Sequence, residues 1–153
     1  MGGYGGASGK VKEKCYYDTG GYKVTDKNAI EVAEYYINEG NYVAFLQRKE
    51  GQKRADLSVE GQHVEIKGLQ TLNPDTIEGR IQNAFEQVHG DDYRYSPDTH
   101  KEVKVIILSK HDSSISEDRI LEAMQKGFLS AEHKGYVTGK LEVWIRGKIH
   151  ALN

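Results

Sequence analysis

Asp56, Glu65 and Lys67 are the residues of this 153-residue chain whose types and spacing could do chemistry. They lie in the run Arg54 to Gly68, RADLSVEGQHVEIKG. Glu60-Gly61 suits a two-residue hairpin turn. Folding about it pairs Val59 with Gln62, Ser58 with His63, Leu57 with Val64 and Asp56 with Glu65. Side chains alternate along a strand, so Ala55, Leu57, Val59, Val64 and Ile66 share a core face. Arg54, Asp56, Ser58, His63, Glu65 and Lys67 share the other. Two carboxylates directly opposite each other destabilise a sheet. A hard divalent cation between them, Mg²⁺ or Mn²⁺, removes that repulsion because it prefers oxygen ligands. The Ile66 carbonyl could supply a third ligand. Lys67 would stand beside a water held there, to orient it or to stabilise a developing negative charge. The same residues also read as the solvated face of an edge hairpin.

The flanking segments supply the elements that must position this face. Asn28 to Gly40 predicts a helix, with Asp26 or Asn28 as cap and Gly40 as stop. Tyr42 to Lys49 predicts a first strand, and Arg54–Val59 with Gln62–Leu69 the hairpin. Thr76 to His89 predicts a second helix opened by Asn73-Pro74. Glu102 to Ser109 predicts a buried strand with the unbroken apolar run Val105 to Leu108. Ser116 to Leu129 predicts a third helix with Ser116 as N-cap. Leu141 to Arg146 predicts a last strand.

In the second helix Ile77, Ile81, Ala84, Phe85 and Val88 make a core stripe. Thr76, Arg80, Asn83 and Gln87 make a polar stripe on another side. That stripe is either a solvated face or a row leaning over the active face. In the second case Arg80 would bind phosphate, and Gln87 or Thr76 would hold water or backbone.

The pattern Asp-x8-Glu-x-Lys, in this order of elements, resembles the PD-(D/E)XK nuclease superfamily. The resemblance implies an α/β (α+β) core, a mixed sheet of about four to five strands flanked by helices. It also implies divalent-metal-dependent hydrolysis of phosphodiesters. The position of the namesake Pro is Ala55 here. A narrower run is similar to the C-terminal toxin domains of CdiA-type contact-dependent inhibition proteins. It comprises a helical Glu, V-x-F-L, A-D-L-x-V-x-G-x-x-V-E-I-K-G and T-I-x-x-x-I-x-x-A-x-x-Q, over roughly residues 28 to 110. Glu31, Asp56, Glu65, Lys67, Thr76 and Gln87 carry it. It implies Glu31, rather than Glu34 three residues on, as a third metal ligand with Asp56 and Glu65. It further implies a tRNA substrate, a cognate immunity protein, and delivery within a larger toxin to act in a target cell's cytoplasm. A DNase of the same fold and a non-catalytic binding module are the alternatives, because the motif does not separate DNA from RNA.

Length and composition fit a single domain, which the resemblance makes a nuclease domain over residues 28–153 behind a lead-in over 1–27, glycine-rich at its start. The chain is long enough to bury a core without disulfides. Mean hydropathy is −0.68, with no segment of transmembrane length and no signal peptide. The lone Cys15 excludes an internal disulfide and Cys-based zinc, and reads as a small half-buried hydrophobe. Net charge is −2, against the basic balance usual for nucleic-acid binders. Arg48, Lys49, Lys53 and Arg54 nevertheless cluster ahead of Asp56 and could track a phosphate backbone. Gly9-Lys10 does not complete a P-loop, since Tyr4 and Val11 break the pattern. Tyr16, Tyr17, Tyr22, Tyr35 and Tyr36 are expected to pack the first helix onto the sheet. No two of the six histidines have zincin spacing, and His63 is expected at the surface near the turn.

Overall fold

The computed structural model describes residues 14–47, 51–90 and 102–153. The expected roles for the glycine-rich start and for Arg48 and Lys49 lie outside those residues. Three helices and six strands follow in the order α1 (Lys27–Asn38), β1 (Val43–Phe45), β2 (Leu57–Val59), β3 (Gln62–Leu69), α2 (Pro74–His89), β4 (Lys104–Ser109), α3 (Glu117–His133), β5 (Lys140–Ile145) and β6 (Lys148–Ala151).

Each helix starts where a side chain can accept from its orphan N–H groups. Asp26 Oδ1 accepts from Asn28 (3.0 Å) and Ala29 (3.2 Å). Asn73 Oδ1 accepts from Asp75 (2.9 Å) and Thr76 (3.3 Å), with Pro74 opening the helix. Ser116 Oγ accepts from Arg119 at 3.2 Å.

The strands form one mixed sheet in sequential order. β1–β2, β2–β3 and β5–β6 are antiparallel, while β3–β4 and β4–β5 are parallel. The parallel pairs need crossovers, which α2 and α3 provide. Both crossover helices pack on one face, burying Ile77, Ile81, Phe85, Ile120 and Met124 against Val105, Ile107 and Val143. α1 packs on the other, burying Val32 and Ala33 against Leu57, Val64, Ile106 and Trp144. Tyr35 packs edge-on and Tyr36 tilted against Trp144, as the aromatic density implied, but Tyr17 and Tyr22 are well exposed. Cys15 is exposed rather than half-buried. Among the described residues no helix is long and apolar enough to cross a membrane.

The six-stranded sheet exceeds the four to five strands expected. The added strand is β6, joined to β5 by a two-residue turn in which Arg146 (φ 50°) and Gly147 (φ 81°) both adopt positive φ. The lead-in also contributes: Tyr16 to Val24 folds back on itself and bonds β1 through Thr19 N–H to the Phe45 carbonyl, 2.9 Å. β1 is shorter than the strand expected over Tyr42 to Lys49.

Two contacts clamp α2 to α3. Gly127 lies so close to α2 that a Cβ there would sit 2.5 Å from Ile77 Cγ2. Glu78 accepts from the Ser130 hydroxyl and pairs with Lys134 at 2.9 Å. Those two partners hold the Glu78 carboxyl below its usual range. Its folded pKa is thus lower than its unfolded pKa. The stabilisation is present above the unfolded value and is lost as pH falls through the folded one. Glu78→Gln should therefore lower the urea midpoint at neutral pH and flatten its decline on the acid side, measured between about pH 3 and pH 7. Gly127→Ala, by overpacking, should destabilise by about 1–3 kcal/mol in the same titration.

Candidate active site

The hairpin turns where expected. Glu60 (φ 48°) and Gly61 (φ 83°) take the two positive-φ positions of a primed turn. Val59, Ser58 and Leu57 pair with Gln62, His63 and Val64. The next rung departs from the expected register. Asp56 N–H bonds the Val64 carbonyl at 3.1 Å, so Asp56 and Leu57 share Val64 as partner. That is a β-bulge. Asp56 therefore does not stand in a simple cross-strand pair with Glu65. Its Oδ2 instead accepts the Ile66 N–H at 2.9 Å. The extra residue shifts the alternation, and Ala55 packs with the α2–α3 cluster rather than beside Leu57.

The second face of β3 is covered, not solvated. Glu65 is fully buried, alone among the described polar and charged residues. Lys67, two residues along the same face, places Nζ 3.2 Å from Glu65 Oε2 and is about a quarter exposed. The site is thus a carboxylate sunk in the sheet face, an ammonium reaching it from the rim, and a second carboxylate fixed to the backbone between them. A buried ion pair is costly to make and costlier to break, because one partner left alone keeps its desolvation penalty.

The C-terminal end of α2 braces the bulge. Gln87 Nε2 donates to the Arg54 carbonyl at 2.9 Å. Gly90, just past the helix, would bring a Cβ within 2.7 Å of the Lys53 carbonyl. Leu46 N–H bonds the Asp56 carbonyl at 2.9 Å, tying the bulge to the end of β1. Arg54 Nη1 donates to the Gln47 carbonyl at 2.9 Å, which gives this arginine a structural partner. Gln87 was legible as part of a polar stripe, but its partner, a strand carbonyl 33 residues away, was not.

Other expected members lie apart. Thr76, Arg80 and Asn83 are exposed along α2, so only Gln87 of the stripe reaches the bulge. Glu31 is exposed on α1, the helix of the opposite face, and pairs with Lys110 at 3.2 Å. Among the described residues no three His, Cys, Asp or Glu side chains are grouped for a metal. The remaining candidate ligands near the bulge are Asp56 and Glu65. Two carboxylates fit Mg²⁺, which commonly takes one or two and fills its remaining positions with water and substrate phosphate. His63 is half-buried in the ladder, opposite Ser58.

No family model matches the chain, and no curated protein matches it. Among solved structures it is similar to a CdiA-CT/CdiI toxin and immunity complex from Burkholderia pseudomallei. The identity is 18%, the match covers 80% of each chain, and the TM-score is 0.47.

Gln87→Leu deletes the donor to the Arg54 carbonyl at similar volume. It should destabilise the chain by about 1–3 kcal/mol, the cost of orphaning a half-buried acceptor. It should also raise amide exchange at Asp56 and Ile66, read by hydrogen exchange.

Proposed function

We propose that this chain is a metal-dependent phosphodiesterase of the PD-(D/E)XK type that cuts nucleic acid, with tRNA as the favoured substrate. The observation that carries the reading is the fully buried Glu65 with Lys67 at 3.2 Å, next to an Asp56 carboxylate held on the Ile66 amide. A carboxylate is seldom fully buried unless it is paired, and a buried acid with a rim lysine as partner is a candidate functional site. The order α1, β1 to β3, α2, β4 is also the order that the superfamily resemblance requires. The choice of tRNA, the role as a delivered toxin and the need for a cognate immunity protein rest on the sequence resemblance.

In this reading Asp56 and Glu65 are the residues that would hold Mg²⁺ or Mn²⁺. The cation, when bound, neutralises phosphate charge and makes water more acidic. Lys67 Nζ then turns from Glu65 toward the attacking water and the developing negative charge, to which an ammonium offers three donors. Gln87 keeps the Arg54 carbonyl, and through it the Asp56 backbone, in place. Glu31, on α1 across the sheet and paired with Lys110, stands outside this centre. The exposed Arg80 and Thr76 are candidates for phosphate contacts outside the reacting centre.

The test is incubation with total tRNA and, separately, with plasmid and linear DNA, in Mg²⁺ or in EDTA. Cleavage of tRNA should require Mg²⁺ and should fall by at least about 100-fold in Asp56→Asn, Glu65→Gln and Lys67→Ala. DNA cleavage alone would keep the site and replace the substrate. Absence of any cleavage by a well-folded chain would leave a binding module. Metal binding has its own readout: Mg²⁺ at about 100 times its Kd should stabilise the wild type by about 2.7 kcal/mol. It should stabilise Asp56→Asn far less.

A further inference from the structure

At the C-terminal ends of β3 and β4 a second polar array lies outside the machinery described above. His111 Nε2 is 2.7 Å from the Thr71 carbonyl. A carbonyl only accepts, so Nε2 carries the proton. In the neutral ring Nδ1 is then an acceptor. Ser109 Oγ stands 2.8 Å from Nδ1 and must donate to it. The hydroxyl proton of Ser109 is therefore committed, and Oγ meets anything else as an acceptor. Its other contact is a long one, 3.5 Å from the His111 N–H. Both side chains are half-buried, so a ligand can reach them.

The sheet register places Ser109 relative to Lys67. Lys67 pairs with Ile107 and Leu69 with Ser109. Ile107 and Leu69 both face the α2–α3 cluster. Alternation puts Lys67 and Ser109 on that same face, one residue pair apart along it, an offset of about 7 Å along the strand. That is on the scale of the distance from one phosphate to a neighbouring sugar.

Phosphate oxygens carry no proton at neutral pH, so an oxygen that can only accept does not attract them. A ribose 2′-hydroxyl is a donor, and it is the group by which a protein distinguishes RNA from DNA. We infer that the Ser109–His111 pair is a ribose reader, selecting RNA by accepting the 2′-hydroxyl proton of a nucleotide whose phosphate lies at Lys67. The inference rests on the phosphodiesterase reading for the position of that phosphate. It gives the site a substrate preference that the acid–acid–lysine set lacks. His111 acts through Ser109 and is a positioning residue.

The test measures binding of single-stranded oligonucleotides of one sequence by fluorescence anisotropy, in EDTA so that nothing is cut. The four probes carry 2′-hydroxyl, 2′-deoxy, 2′-fluoro or 2′-O-methyl sugars. The wild type should bind the hydroxyl form at least about tenfold more tightly than the other three, since none of those can donate. Ser109→Ala should bring the four affinities together, and Ser109→Thr, which keeps the hydroxyl, should restore the preference. Equal binding of all four by the wild type, equal weakening of all four in Ser109→Ala, or no binding at all would overturn the inference. Ribose-selective binding without Mg²⁺-dependent cleavage would sink the phosphodiesterase reading and leave the reader standing. Cleavage without ribose selection would do the reverse.

Discussion

Burying one carboxylate in the face of a sheet is the constraint from which the rest of this structure follows. Glu65 has no solvent exposure, and an ion out of water costs several kcal/mol even after relaxation. Attraction offsets that cost only where the partners are held in place. Lys67 reaches Glu65 because both project from the same face of β3, two residues apart. The covering helix α2 must then lie close enough to exclude water yet leave Lys67 a path to the rim. Small residues at close approaches, such as Gly127 against Ile77 and Gly90 against Lys53, allow the helices that proximity.

The bulge at Asp56 serves the same end. In an unbroken ladder Asp56 would oppose Glu65 directly, with like charges face to face. The extra residue turns the carboxylate onto the Ile66 N–H instead. A backbone amide there gives the carboxylate a fixed donor. The second negative charge is thus kept near the first at reduced cost. The bulge also shifts the register by one, which carries Ala55 to the other core. Ala55 stands at the Pro position of the motif that the sequence resembles. A small residue suffices there because the adjacent strand end is tied down through Leu46 and Gln87.

Much of the architecture was legible because local signals agreed with the global fold. Asp26, Asn73-Pro74 and Ser116 marked the helix starts, and Glu60-Gly61 fixed the hairpin register. The bulge was not legible, since it changes hydrogen bonding without changing the apolar–polar pattern. β6 was missed because its turn uses Arg146 at positive φ, where Asn or Asp would have given the signal. Glu31 was chosen on resemblance alone, and nothing in its own helix says which face of the sheet α1 will cover. The burial of Glu65 did leave a trace. Val105 to Leu108 is apolar at every position, which requires both faces of β4 to be covered. A strand beside β4 is therefore covered on both faces as well, and a glutamate within it has no solvated side to occupy.

Where the site sits also governs how it can vary. Its parts come from a bulge, a central strand and the end of a long helix rather than from one loop. Sites on rigid elements hold their geometry better than sites on loops, but each member is then committed to packing as well as chemistry. Gln87 must satisfy the Arg54 carbonyl, and Glu65 must remain compatible with a dry core. Ser109 and His111 are less constrained, because Ser109 sits on the last rung of β3 and β4 and His111 just past it, where the chain leaves the sheet. Side chains can change at that end without disturbing the buried pair, since two rungs of strand separate Ser109 from Lys67, the partner of Glu65. On the proposed reading the fold divides the work: the sheet face would hold the charges that meet a phosphodiester, and the strand ends the groups that tell one sugar from another.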